Sequence, residues 1–506
     1  MSCTTATSRS ARLKCSRSSA QQIVSKPSGA KALTLGMLLL VPAVAGAHSF
    51  GKLYNLPVPL WLYLYGATAA LLGSFLVMAW FGTQAGAPSK AEALIAARAW
   101  PRPALWLLRL AQLASLALLA LMIFSGLAGS QNAYANFNMS GFWIGFVLGF
   151  AYLTAALGNL YARLNPWRLL ARALERFTGD RRGQVTAPER LGVWPALLLY
   201  MAFIWLELFG GTGPRGLSLA LMAYTVINLV GAWWLGTAAW FRQGELFAVF
   251  LRYLALCAPL HWQQGRVHWR WPFAGLLAER SRHGSELLFI LFMLSSTAFD
   301  GLRETLPWVK LFWQDLYALA WEPLLGDDRV ASYARLTQIF AVWQSAALLL
   351  SPFIYLAAYL VCLKLAQWLT GSGLSLRELA LRFAPTLVPI ALVYHVTHYY
   401  TLLFTQGSVL PWLLADPLGT GSEWAWSFLG RPKGFIPDAG TVWHTQVALI
   451  LLGHIVSVVL AHRVALEIFM TRRAATLSQL PMLLLMMLYT GSGLWILAQP
   501  LNPSGH

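Results

Sequence analysis

From about residue 59 to the C-terminus, long apolar runs alternate with short polar or basic stretches. Ten of these runs approach the ~20 residues that a helix needs to cross a hydrocarbon core of ~30 Å. They fall at 59–81, 104–127, 141–160, 191–209, 217–235, 285–301, 337–363, 380–405, 445–468 and 479–498. In lipid every backbone N–H and C=O must find its partner within the protein, which a helix does by itself. The pattern therefore predicts an all-α fold, a polytopic transmembrane helical bundle of about ten spans. The sixth run is short for a span. Pro385 and Pro389 predict a kink in the eighth. Glu245 and Arg252 interrupt residues 245–260, which predicts an amphipathic helix lying on the membrane surface.

Composition agrees with a bilayer as solvent. The chain is 58% hydrophobic and 11% charged, too few charges to cover the surface of a water-soluble globule of this size. The 24 Trp and 17 Tyr suit belts at the two membrane interfaces. A net charge of +18 raises the question of nucleic acid. The basic residues are scattered over loops between apolar runs, with no stripe interleaved with aromatics. The expectation is topology-setting charge, with no nucleic-acid partner.

The first 47 residues read as a signal peptide. Arg9, Arg12, Lys14, Arg17, Lys26 and Lys31 precede an apolar stretch from Ala32 to Val41, and Ala45-Gly46-Ala47 is a small-x-small cleavage site. Cleavage there leaves a single transmembrane helical domain, 48–506, beginning at His48. Cys3 and Cys15 lie in the leader, and Cys257 and Cys362 fall on the cytoplasmic side of the topology below. No disulfide framework or zinc spacing follows from them.

Loop charge orients the spans. Loops 82–103, 161–190 and 236–284 carry three, seven and six Lys/Arg against one, three and two acids. Loop 128–140 has no basic residue, loop 302–336 has four against five acids, and loop 406–444 has two against three. Basic loops stay inside, so the mature chain is expected N-out and C-out in a bacterial inner (cytoplasmic) membrane.

Ionisable side chains at membrane depth are costly and mark function. On this topology Glu207, Asp300, His395 and His398 all lie in the outer half of the bilayer. His395 and His398 are three residues apart and share a helix face. His444 stands at the outer end of the ninth span, with His454 ten residues deeper, ~15 Å by helical rise. His48 is also outside, and cleavage after Ala47 would let its α-amine and ring chelate a metal together. The expected metal ligands are His395, His398, His454, His444 and His48, with Asp300 and Glu207 as the catalytic carboxylates. Imidazole, amine and carboxylate donors suit Zn or Cu. His462 belongs to the opposite end. Tyr394, Tyr399 and Tyr400 read as belt or packing residues.

Several stretches carry a family resemblance: Ala47-His48-Ser49-Phe50-Gly51 with Asn55-Leu56-Pro57-Val58-Pro59-Leu60-Trp61-Leu62; Ser296-Thr297-Ala298-Phe299-Asp300-Gly301; Tyr394-His395-Val396-Thr397-His398-Tyr399; Asp416-Pro417-Leu418-Gly419; Gly453-His454; and Leu460-Ala461-His462. Together they resemble a family of bacterial polytopic membrane proteins called fenitrothion hydrolases, over nearly the whole mature chain. The resemblance implies hydrolysis of an organophosphorus triester at its P–O-aryl bond. It supplies no catalytic residues.

Two function classes stand at this point. One is a membrane-embedded hydrolase of aryl dialkyl phosphorothioates, hydrophobic small molecules that reach the site through the lipid bilayer, with a divalent metal activating water. The other is a membrane transporter or a metal- or haem-binding membrane protein. A second polytopic membrane subunit is a further candidate partner.

Overall fold

A computed structural model describes residues 58–81, 93–96, 102–179, 189–263, 266–325, 328–421 and 437–499. The expected signal peptide and His48 lie outside the described residues. The described part is almost wholly helical. In chain order it comprises α1 (Leu60–Phe81), β1 (Ala93–Ala96), α2 (Arg102–Ala128), α3 (Phe137–Leu157), α4 (Pro166–Thr178), α5 (Trp194–Phe209), α6 (Pro214–Leu235), α7 (Leu246–Ala255), β2 (Leu260–Gln263), β3 (Arg266–Trp269), α8 (Gly284–Arg303), α9 (Arg329–Thr370), α10 (Leu376–Phe383), α11 (Val388–Thr405), α12 (Ala439–Ile468) and α13 (Arg472–Ala498).

Nine stretches among the described residues are long and apolar enough to cross a membrane, with α10 and α11 counted together as one. The 16-residue α5 is shorter. Two sets of contacts place its ends. Strands β1 and β2 both pair with β3, which brings the α1–α2 connection and the α7–α8 connection to one end of the bundle. Trp262 Nε1 donates to Leu157 O at 2.7 Å and puts the end of α3 there too. Ser130 N donates to Leu418 O, Phe137 N to Pro417 O and Arg215 N to Gln131 Oε1 at the opposite end. Between Leu157 and Trp262, at one end of the bundle, α5 runs toward the opposite end and α6 runs back. The three basic loops of the sequence thus meet at one end.

Three details differ from the sequence expectation. The first is α7, which is not a surface helix. Leu246, Phe247, Val249, Phe250, Leu251, Tyr253, Leu254 and Ala255 are all buried, and Glu245 caps the helix from inside the protein with its side chain on the Phe247 and Ala248 amides. The polar residues that suggested a water-facing side are used as a cap and an edge. The second is α9, with 42 residues, far longer than the expected span. At 1.5 Å per residue it measures ~63 Å and overhangs any bilayer. The third is the small sheet, which lies in charged connections whose strands are too short to show a period.

The kink in the eighth span takes a definite form. α10 ends at Phe383, a 3-10 turn covers Ala384–Leu387 with Pro385 in its first turn, and α11 restarts with Pro389 in its own first turn. Proline lacks an N–H and is tolerated where no intrahelical bond is due. This restart sets the rotation of α11, and with it the direction of its histidines. Cys257 and Cys362 are free thiols.

Candidate functional site

The centre of the site is Asp300, one turn before the end of α8 and 5% exposed. Its two oxygens are shared among three residues. His398 Nε2 lies 2.8 Å from Oδ2, Tyr399 OH donates to the same oxygen at 2.9 Å, and Arg303 Nε donates to Oδ1 at 3.2 Å. With a carboxylate as partner, His398 Nε2 is the donor of this bond. Arg303 follows Asp300 by three residues, so the two meet on one helix face. Its Nη1 also donates to Leu208 O at 3.0 Å and ties the end of α5 to α8. That tie holds Glu207, on the last turn of α5, within the electrostatic reach of Asp300 and Arg303, with Tyr399 beside it.

Small residues let the helices close around this carboxylate. A Cβ on Gly301 would stand 2.8 Å from Ile496 Cγ2 of α13. A larger side chain there would push α13 away and loosen the turn that carries Asp300.

Asp300 and Glu207 form one wall of a small cavity of about 30 Å³. The other polar lining groups are Tyr200, Ser296, Thr297, His395 and Tyr399. Phe146 of α3, Phe203 and Ile204 of α5, and Phe247 and Phe250 of α7 make the apolar walls. The aromatic rings meet edge to face, with Phe146 and Phe247 centroids 4.9 Å apart and Phe203 and Phe247 5.4 Å apart, a preferred geometry for ring pairs. α7, expected at the surface, supplies the floor. At this size the cavity has room for a water or two, between mostly apolar walls with polar groups gathered at one side.

The expected site residues divide into three groups. Glu207, Asp300 and His395 line the cavity, and His398 joins them through Asp300 without lining it. His395 Nδ1 is buried with no hydrogen-bond partner among the described residues. His454 and His444 stand elsewhere. His454 is wholly buried near Tyr394, with Nδ1 2.9 Å from Ile450 O. His444 has Nδ1 2.8 Å from Gly440 O and Nε2 3.1 Å from Tyr63 OH. His462 is separate, 3.0 Å from the Gln479 side-chain nitrogen. Neither His444 nor His454 is among the residues that line the cavity. Among the described residues no three His, Cys, Asp or Glu stand close enough to hold one metal ion.

Sequence reasoning missed two members. Tyr399 was read as a belt or packing residue, yet its hydroxyl is on Asp300 and its ring is on the cavity. Tyr394 and Tyr400 do pack, donating to Tyr489 O and Val442 O. Arg303 went unread, although an acid and an arginine three apart at the end of an apolar helix were visible. Comparison with protein-family models, with curated protein sequences and with solved structures gives no match to this chain.

Proposed function

We propose that this chain is a membrane-embedded hydrolase of neutral, apolar organophosphorus triesters of the aryl dialkyl phosphorothioate type. The observation that carries the reading is the polar constellation itself, two carboxylates and an imidazole around one small, aromatic-walled cavity among apolar helices. The family resemblance supports the same substrate class. A greasy, uncharged ester partitions into lipid and would reach these groups sideways, the helices around the small cavity parting to admit it. We place the protein in a bacterial inner membrane with the cavity in the periplasmic half, on the strength of the loop charges.

The residues divide the work by how they are engaged. Asp300 has both oxygens committed to His398, Tyr399 and Arg303. It fixes the geometry of its neighbours. Glu207 faces the cavity beside it and takes the proton of a water molecule as the water oxygen attacks phosphorus. The new P–O bond forms, the P–O-aryl bond breaks, and the aryl oxide leaves with its electron pair. The proton held by Glu207 then passes to the product phenolate or to solvent. The balance is triester plus water to dialkyl phosphorothioic acid plus phenol. A phenolate with an electron-withdrawing substituent needs little acid assistance. His395 contributes a ring nitrogen toward the thiophosphoryl group. Among the described residues no three donors stand together for a Zn or Cu ion, and the step is written with the protein's own groups.

The test is an assay of phenol release from fenitrothion by membranes of cells expressing this chain, alone and together with neighbouring membrane-protein genes. The reading expects hydrolysis by the wild type and loss of it in Glu207→Gln at equal protein level. Hydrolysis that is absent in every combination ends it. Accumulation or efflux of the intact ester instead favours the transporter alternative.

A further inference from the structure

α4 is unlike the apolar rods around it. Asn165 caps it, its side chain accepting the Arg168 amide at 3.0 Å, and Pro166 opens the first turn. Trp167 and Ala171 are buried, and Trp167 Nε1 donates to Thr225 Oγ1 of α6 at 2.9 Å. These contacts fix the helix against α2 and α6. Beside that buried face it carries Arg168, Arg172 and Arg176 at four-residue intervals, neighbours along one stripe. Arg172 and Arg176 are exposed, and Phe177 next to them is 88% exposed.

Arg168 is the half-buried member. Its Nη1 donates to Ala162 O at 3.0 Å, while Nε is buried with no hydrogen-bond partner among the described residues. Burial first, and the Arg172 charge second, pull its guanidinium below the ordinary value, with Glu175 opposing in part. Glu175 is itself engaged, accepting the Thr237 amide at 3.1 Å. Among the described residues no ion pair joins any of the three arginines to an acid. The stripe keeps positive charge that a bound anion would relieve.

Its position identifies the anion. The stripe lies at the end where the small sheet and the basic loops meet. Trp106 of α2 and Trp234 of α6 are exposed there, 62% and 65%, with Arg109 over the Trp106 ring. Tryptophans on the outside of membrane helices mark headgroup level. An exposed Phe beside arginines suits a ligand with both a charge and acyl chains.

We propose that Arg168, Arg172 and Arg176 bind the phosphate of an anionic phospholipid of the phosphatidylglycerol class, with Phe177 set among its chains. The test uses the full-length protein in neutral detergent, titrated with phosphatidylglycerol or phosphatidylcholine. Binding is followed by native mass spectrometry and stability by thermal unfolding. The expected result is binding and a raised Tm with phosphatidylglycerol and neither with phosphatidylcholine. Each Arg→Gln exchange weakens the binding about fivefold, and Arg335→Gln at the other end leaves it unchanged. Arg172→Gln with Arg176→Gln touches only exposed side chains, so it decides the matter even where Arg168→Gln does not accumulate. Equal phosphatidylglycerol binding by that double variant and the wild type overturns the site. Stabilisation by inorganic phosphate equal to that by phosphatidylglycerol, or equal binding of phosphatidylcholine, overturns the lipid assignment.

Discussion

Glu245 and Asp300 are two carboxylates shut off from bulk water in the same bundle, and both accept hydrogen bonds from tyrosines. Glu245 is wholly buried. Tyr161, Tyr224, Asn165 and the amides of Phe247 and Ala248 all donate to it. Those donors come from three parts of the chain and surround it completely. Asp300 is met by His398, Tyr399 and Arg303, but its fourth side is the cavity wall. The difference teaches how to sort buried polar groups in a membrane protein. A carboxylate with donors on every side holds helices together. One that stands on the wall of a cavity can meet a molecule there.

The sharpest break of this comparison is Glu245→Ala. Removing the acceptor strands two tyrosine hydroxyls, an amide and two helix N–H groups in a dry interior. At about 1–3 kcal/mol for each unsatisfied group, the total approaches the whole stability of a domain. The expected outcome is loss of folded protein from the membrane, read by detergent extraction and size-exclusion chromatography. Glu245→Gln keeps an acceptor oxygen for the helix cap and accumulates at an intermediate level. Normal levels of Glu245→Ala would dissolve the contrast between the two carboxylates.

The matching exchange at the other carboxylate is Asp300→Asn. Shape and the contact with Arg303 are retained, so protein level and unfolding temperature stay near wild type. Hydrolysis of the triester falls by roughly 10²-fold, measured as phenol release per unit of membrane protein. If Asp300→Asn disappears from the membrane as Glu245→Ala does, Asp300 is a second structural tie and the cavity loses its chemistry.

How far the sequence could reach follows from these same residues. Glu207, Asp300, His395 and His398 were legible because a polar residue in an apolar run is rare, and helical rise with loop charge gives its depth. Depth is one coordinate of three. Rotation about each helix axis decided that His444 meets Tyr63 and that His454 faces Tyr394, and no pattern within one helix records that. Glu245 was misread for a related reason. A carboxylate beside an apolar helix looks water-facing until its partners, 80 and 84 residues away in Asn165 and Tyr161, are known. Nine of the long apolar helices among the described residues were legible because length and apolarity are local properties. The overhang of α9 was not, because its polar N-terminal turns look like a loop when read for hydropathy alone.

His398 sharpens the contrast at a smaller scale. It reaches Asp300 from outside the cavity, with its side chain 26% exposed. It therefore acts through Asp300 as a positioning residue. His398→Ala lowers kcat by about tenfold and leaves KM for the triester unchanged, while His395→Ala, on the cavity wall, raises KM as well. Steady-state kinetics on both variants at matched protein level separates the two. Identical changes in kcat and KM for both would place them in one role.

The smallest expected effect comes from a third carboxylate, which performs the task of Glu245 in water. Asp438 caps α12, accepting the Thr441 amide at 3.0 Å together with the Thr441 hydroxyl. The Thr441 hydroxyl and amide bonds hold its carboxyl below the ordinary Asp value. A depressed folded pKa gives stability that is fully present above the unfolded Asp value near 4 and is lost as pH falls through the folded value. The window is therefore below about pH 4. Because Asp438 is exposed, water replaces whatever the cap loses, and the change stays confined to the first turn of α12. Asp438→Ala should raise hydrogen exchange at Thr441 and Val442 at neutral pH and leave global unfolding and hydrolysis at wild-type values. In the wild type the same two amides should lose protection on acidification through that window, and in Asp438→Ala they should show no such step. A global loss of stability from this exchange would mean that capping alone, without burial, accounts for the importance of Glu245, and the distinction between an enclosed carboxylate and an open one would then rest on Asp300 only.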